Sequence, residues 1–183
     1  MIDAYTNQAT PRAAMKRLVL AAFLIFGLTS PAGAGFDEGM AAYQRGDYAA
    51  ALREWQPLAE QGDAAAQHKL GVMYDNGEGV PLDDAEAIKW YRMAAEQGYA
   101  EAQASLGFMY SIGEGVPEDD AEAVKWYRMV AEQGDSDAQY VLGVMYELGE
   151  DVAVDLAEAR RWYRAAADQG DAEANAALQR LGP

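Results

Sequence analysis

A 16-residue segment that returns every 36 residues constrains the fold of this chain more than any other feature. It reads DDAEAIKWYRMAAEQG at residues 83–98, DDAEAVKWYRMVAEQG at 119–134 and DLAEARRWYRAAADQG at 155–170. A fixed period of roughly 20 to 50 residues is typical of a solenoid, in which each unit buries its apolar face against its neighbours. The repeat therefore favours a binding scaffold, and it leaves open what the scaffold binds.

Each full unit is predicted to form two helices. In residues 63–98, small and apolar residues recur at helical spacing through the first predicted helix, about residues 64–76. A Gly-Glu-Gly-Val-Pro segment then ends this helix, because glycine can adopt positive φ and proline cannot continue a helix. Asp83 is a good N-cap for the second helix, and Glu86 stands three residues later, as in a capping box.

Glycine and aromatic residues occupy fixed places in the units. Gly71, Gly107 and Gly143 stand in mid-helix, where glycine costs about 1 kcal/mol relative to alanine, so their common phase predicts a close helix approach. The Trp-Tyr pairs at 90–91, 126–127 and 162–163 are expected to be core, with an aromatic ligand box as the alternative. We also expect Trp126 to matter more for stability than Trp55, which lies in a variant unit.

The ends of the repeat array are atypical, as the caps of a solenoid are. We expect a repeat domain at residues 35–183, with units at 36–62, 63–98, 99–134 and 135–170 and a capping helix at 171–182. In the first unit only Gly46 separates the two helices. The fold class is therefore predicted as an all-α, right-handed α-solenoid of four helix pairs and a C-terminal capping helix.

Residues 1–34 are predicted to lie outside the fold. Leu18–Leu28 form an apolar run, preceded by a lysine–arginine pair and followed by Ala-Gly-Ala, as in a secretory signal. The run is shorter than the roughly 18 to 20 residues that span a bilayer. We expect cleavage after Ala34, no stable membrane anchor afterwards, and a periplasmic or secreted protein. A membrane anchor or a buried helix is the alternative, and both Met1 and Met15 are compatible with initiation.

Charge and composition narrow the classes of ligand. The chain has 30 acidic and 14 basic residues, a net charge of −16, so it should repel nucleic acid and anionic lipid. Acidic residues cluster at 78–86 and 114–122, where a cation site and ordinary helix capping are both possible. Neither cluster has the spacing of a calcium-binding hand, and we predict no metal and no cofactor.

Catalytic residue patterns are nearly lacking in the sequence. The only histidine is His68, there is no cysteine, and none of the four serines begins an S-x-x-K motif. The chain is therefore predicted to be no enzyme. The alternative is a cell-envelope hydrolase or the regulatory subunit of a cell-wall enzyme.

The unit pattern A-x-x-x-L-G-x-x-Y, G-x-G-V-P, D-x-x-x-A-x-x-W-Y-x-x-A-A-x-Q-G resembles the Sel1-like repeat, a relative of the tetratricopeptide repeat. The resemblance covers residues 63–181 in three copies. In the last copy Asp151 and Ala153 replace the loop glycine and proline, so that loop departs from the pattern. The resemblance implies a curved α-solenoid that serves as an adaptor for protein complexes, and bacterial members are often exported.

The candidate binding groove follows from this resemblance, which implies that first helices line the concave surface. With the glycine face turned to the core, the opposite face varies between units. These candidate groove residues are His68, Val72, Asp75, Asn76, Phe108, Ser111, Ile112, Tyr140, Val144, Glu147 and Leu148.

Within this set, the apolar side chains should form an exposed strip edged by Asp75 and Glu147; its members are Phe108, Ile112, Tyr140 and Leu148. Such a strip suits an extended or helical segment of another protein that carries basic residues. We expect the scaffold itself to be a monomer. Two alternatives stay open: some groove residues pack on a neighbouring first helix, or the partner docks on the Gly-Glu-Gly loop edge.

Overall fold

The computed structural model describes residues 34–149 and 153–182, and within these ranges every regular element is an α-helix. The predicted signal segment before Ala34 and the substituted loop residue Asp151 lie outside the described residues. The nine described helices are α1 Ala34–Gln44, α2 Tyr48–Glu60, α3 Ala64–Asn76, α4 Asp84–Ala95, α5 Ala100–Ile112, α6 Asp120–Glu132, α7 Ser136–Leu148, α8 Leu156–Asp168 and α9 Ala172–Leu181.

The helices pack in the order of the chain. The first eight form four pairs, each pair packs against the next, and α9 packs against α8. This arrangement confirms the prediction of an all-α solenoid with four helix pairs and a C-terminal helix. None of the nine described helices combines the length with the apolar composition that a bilayer span requires.

Aspartate caps begin the second helices, although not through the predicted capping box. Asp83 Oδ1 accepts a hydrogen bond from the backbone N–H of Glu86 at 3.0 Å. The backbone N–H of Asp83 instead donates to the carbonyl of Tyr74 at 2.9 Å, and the carboxylate of Glu86 pairs with Lys89. The box is unnecessary because the turn after α3 has already satisfied the donor that Glu86 was expected to reach.

The mid-helix glycines mark close contacts between the two helices of a unit, as predicted. A Cβ atom placed on Gly71 would lie 2.5 Å from the ring of Tyr91, and one on Gly143 would lie 2.6 Å from the ring of Tyr163. These distances are well inside van der Waals contact, so only glycine allows the tyrosine ring to lie on the helix backbone. In the first unit, Trp55 takes the equivalent place against Gly39.

The core consists of four apolar clusters, and each draws side chains from neighbouring helices. In one of them Trp126 of α6 packs with Tyr91 of α4 and Leu106 of α5. In the next, Trp162 packs with Val124 and Leu142. The prediction that these tryptophans belong to the core is confirmed.

Trp55 is the most buried of the core tryptophans, which gives no support to the expectation that it contributes less to stability than Trp126. Its side chain is 0% exposed, against 6% for Trp126. Its Nε1 donates to the carbonyl of Phe36 at 3.1 Å, and its ring also lies against Tyr43. The short turn of the first unit closes α1 directly over Trp55, and sequence position gave no sign of that.

Candidate functional site

Large apolar side chains are exposed on the first helices of the third and fourth units. Phe108 is 52% and Ile112 48% exposed on α5, and Leu148 is 59% exposed on α7. Phe108 and Ile112 are four residues apart and therefore share a helix face. Exposed apolar side chains that lie near one another favour an interaction surface over a solvated one.

A cavity of about 380 Å³ opens beside these residues, between α5, α6 and α7. Four of the predicted groove residues line it, together with residues that sequence reasoning missed. The lining residues are Ser111, Asp120, Tyr127, Tyr140, Val141, Val144, Met145 and Leu148. Asp120 and Tyr127 were missed because they belong to a second helix, α6, which was expected to contribute only core.

Ser111 interrupts a column of acidic residues that repeats every 36 positions. Asp75, one unit earlier, accepts a hydrogen bond from the hydroxyl of Tyr91 at 3.0 Å. Glu147, one unit later, accepts from the hydroxyl of Tyr163 at 2.8 Å. Ser111 is shorter, and its hydroxyl donates to the carbonyl of Phe108 at 2.8 Å instead.

The missing carboxylate changes the surroundings of Tyr127. Where Asp75 accepts from Tyr91 and Glu147 accepts from Tyr163, the equivalent residue in the unit of Tyr127 is Ser111. Burial raises the pKa of Tyr127, so its hydroxyl stays protonated at neutral pH. The place that an acidic side chain fills in the other units is therefore part of the cavity here.

His68 was expected to be a surface or groove residue, and that expectation is wrong. Its ring packs between Tyr91 and Tyr99, with ring centroids 5.5 and 5.4 Å away, and the residue is buried. The packing comes from Tyr99, which stands where the other units have an aspartate. Val72 is half-buried against the core, and Asn76 is exposed.

The two acids expected at the edge of the groove are engaged within the protein. Asp75 binds Tyr91, while Glu147 binds Tyr163 and forms a two-point ion pair with Arg180 of α9. The hydrogen bonds from Arg180, more than those from Tyr163, lower the pKa of Glu147. Both carboxylates therefore stabilise the groove wall, and the hydrogen bonds and the ion pair within the protein offset much of their negative charge.

The described residues hold no cluster of three or more histidine, aspartate or glutamate side chains that could bind a metal ion. Within the same residues, His68 Nδ1 has no hydrogen-bond partner, so no carboxylate orients the imidazole as a general base. The described surface offers exposed apolar side chains, a cavity and two hydrogen-bonded carboxylates.

The repeat itself identifies the family. A profile of the Sel1 repeat matches residues 64–99, 100–135 and 136–171, which together make up more than half of the chain. The chain belongs to the Sel1 repeat family. The matched Sel1 repeats begin one residue after the predicted units. Proteins with Sel1 repeats generally mediate protein–protein interactions, and the scaffold is generally non-catalytic.

Solved structures agree with this assignment. A Sel1 repeat protein from Oxalobacter formigenes is 45% identical, with a TM-score of 0.64, over 70% of this chain and 96% of the other. The protective antigen c5321 of uropathogenic Escherichia coli, described as displaying an SLR fold, is 39% identical with a TM-score of 0.74. The match covers 87% of this chain and 34% of the antigen, so the chain spans about a third of that longer protein.

A more distant relative shares the fold alone. Cysteine-rich protein B of Helicobacter pylori is 20% identical over 73% of this chain and 98% of the other, with a TM-score of 0.53. A search of curated proteins returns no significant match.

Proposed function

We propose that this Sel1 repeat protein is an exported, non-enzymatic scaffold that binds a segment of a partner protein along its first helices. The observation that carries the proposal is the exposure of Phe108, Ile112 and Leu148 beside a cavity. The general role of Sel1 repeats in protein–protein interaction supports it.

The pattern of variation between units favours the same face. Positions that touch the core keep their residue type, as Gly71, Gly107 and Gly143 do, because packing restricts them. Positions on the exposed face change: Asn76 is followed one unit later by Ile112 and two units later by Leu148. Residues that packing does not restrict are free to determine which partner binds.

The charge of the chain indicates the kind of partner. A net charge of −16 attracts a segment that carries basic residues, and the attraction should speed association and weaken as salt screens it. The apolar side chains would then determine how long the partner stays bound, as buried anchors do at binding hot spots.

The decisive experiment compares two double variants, each of which replaces two exposed apolar side chains by serine. Phe108→Ser with Leu148→Ser removes apolar side chains from α5 and α7, whereas Met93→Ser with Met129→Ser removes exposed ones from the second helices α4 and α6. Both should keep their helicity and melting temperature. Quantitative pull-downs from envelope extract should lose specific partners with the first variant only.

Equal loss with both variants, or no loss with the first, would contradict binding on the first-helix face. Unfolding of the first variant would show that these side chains stabilise the fold. If the protein showed turnover in a panel of cell-wall hydrolase assays and His68→Gln abolished it, the protein would be an enzyme and the proposal of a non-enzymatic scaffold would be wrong.

Export is proposed from the sequence and has its own test. N-terminal sequencing of the purified protein should give Gly35 as the first residue, because cleavage is expected after Ala34. Recovery of the intact chain from the cytoplasm would contradict export and would leave the proposed binding surface unaffected.

A further inference from the structure

We infer that the surface between α8 and α9 is a second binding place, which receives a tyrosine side chain from a partner protein. The place is an opening of about 340 Å³ that is lined by Arg164 of α8 and by Leu178, Gln179 and Gly182 of α9 and its C-terminal end. The partner surface proposed above belongs to α5 and α7. The inference therefore goes beyond the proposed function and does not depend on it.

Two earlier units show which side chain normally fills this place. Arg92 of α4 donates a hydrogen bond to the hydroxyl of Tyr110 of α5 at 2.7 Å. One period later, Arg128 of α6 donates to the hydroxyl of Tyr146 of α7 and also lies over its ring, 5.7 Å from the centroid. The tyrosine thus offers the guanidinium both a hydrogen-bond acceptor and an aromatic face.

The third copy of this arginine, Arg164, meets a glycine at the position of the tyrosine. Gly182 stands one period after Tyr146, so it supplies neither a hydroxyl nor a ring. Arg92 and Arg128 are half-buried, whereas Arg164 is exposed. Because Arg164 and Gly182 both line the opening, the opening occupies the place that the tyrosine ring fills in the earlier units.

The apolar wall of the opening matches a ring as well. Tyr110 packs against the cluster that contains Leu106, and Tyr146 packs against the cluster that contains Leu142. Both leucines are 0% exposed, whereas Leu178, one period after Leu142, is half-buried. A ring that lay on the guanidinium would also cover this leucine, since both side chains line the opening.

A carboxylate from the partner is the competing occupant, because arginine binds carboxylates well. The apolar wall at Leu178 disfavours it, and the net charge of −16 opposes the approach of an acidic segment. An acid of the chain itself is no substitute for the phenol. Asp168 stands four residues after Arg164, but Glu132 stands at the same distance after Arg128, which nevertheless donates to a tyrosine.

A second copy of this chain is a poor source of the tyrosine. Every tyrosine within residues 34–149 and 153–182 is buried or half-buried in its own fold. Two chains of net charge −16 also repel each other. The partner is therefore a different protein, which presents an accessible tyrosine that is not part of an acidic segment.

The test is a differential selection of peptides. A random-peptide display library is selected in parallel on the full-length protein and on Arg164→Met, which removes the guanidinium and keeps a flexible apolar side chain. Peptides that are enriched only on the wild-type protein should share a tyrosine. The most strongly enriched of them is synthesised with tyrosine, phenylalanine or glutamate at that position, and its affinity is measured by fluorescence anisotropy.

The expected result is a preference for tyrosine that depends on Arg164. With the wild-type protein, replacing tyrosine by phenylalanine should weaken binding about tenfold, because a hydrogen bond from a charged group is lost. With Arg164→Met the two peptides should bind almost equally well. Arg53→Met, which removes an exposed arginine from α2, is the matched control and should keep the full preference.

The contrary outcomes are equally specific. Wild-type-specific peptides that carry an acid in place of tyrosine, equal affinity of the tyrosine and phenylalanine peptides, or a tyrosine preference that persists in Arg164→Met overturns the inference. Enrichment of the same peptides on both proteins also overturns it and leaves the scaffold function standing. Should Arg164→Met fail to fold in a thermal melt, Arg164→Gln takes its place in the selection and in the affinity measurements.

Discussion

At the scale of single residues, His68 is a buried histidine packed between two tyrosine rings. Burial between two tyrosine rings, with the nearby charge of Lys69 as a smaller cause, lowers its pKa from 6.5 to about 4. Glu101 opposes the shift only weakly. The folded protein therefore holds a neutral imidazole at a pH where the unfolded chain already binds a proton.

This difference predicts that stability depends on pH through His68. The unfolded state takes up a proton below about pH 6.5 and the folded state only near pH 4, so the stability present above pH 6.5 falls as the pH drops to 4. The loss should reach roughly 3 kcal/mol at most. Denaturant unfolding of wild type and His68→Gln across this range measures it, and parallel curves for the two proteins would show that His68 is not the cause.

The tryptophan at the start of the array should be as important as the one in its centre. Trp55→Ala removes a fully buried ring and a hydrogen bond to Phe36, so it should cost about 3–5 kcal/mol, no less than Trp126→Ala. The comparison is made by urea unfolding of both variants. A clearly smaller loss for Trp55→Ala would mean that the first unit opens without affecting the rest.

At the scale of elements, α9 is held by arginines as well as by its apolar face. Arg160 of α8 donates to the carbonyls of Leu181 at 2.9 Å and Gly182 at 3.3 Å, which are among the acceptors that a helix leaves open at its C-terminus. Arg180 joins the same helix to Glu147 of α7. The first link thus connects the last helix to α8, and the second connects it to α7 at the wall of the groove.

Removing the first of these links should loosen α9 alone. Arg160→Ala should raise amide hydrogen exchange in α9 by about one to two orders of magnitude, because hydrogen bonds from a charged group are lost. Exchange in α3 and α4 should not change. The control is Arg164→Ala, which removes an exposed arginine from α8, the helix that also carries Arg160. An equal rise in exchange with this variant would contradict the role assigned to Arg160.

At the scale of the molecule, stability is expected to be distributed along the array. The apolar clusters are separate, and each is built from neighbouring helices, so distant units support one another only through the units between them. This predicts partial unfolding from one end, in contrast to the all-or-none behaviour of a small globular domain.

Leu142→Ala tests this expectation in the fourth unit. The side chain is fully buried, so its truncation should cost about 2–5 kcal/mol. Amide exchange should rise in α7, α8 and α9 and stay close to the wild-type rate in α1 to α4. A uniform rise through all helices would show that the array unfolds as one cooperative unit.

The fold was predictable from the sequence because its determinants are local or periodic. The 36-residue period, the glycines in phase and the aspartates before each second helix already indicate helix pairs and the faces they bury. The same side chain meets the same neighbour in every unit, so one unit explains the others. The same periodicity places Phe108, Ile112 and Leu148 away from the core.

The tertiary structure decided what happens where the period is broken. His68 is buried because Tyr99 of the next unit covers it, and Trp55 is sealed because a short turn brings α1 over it. Ser111 and Tyr127, from different helices, both line the cavity, at the place where the other units pair a longer acidic side chain with the tyrosine. Each outcome depends on the size of a side chain from another element, and only the packed helices bring that side chain into place.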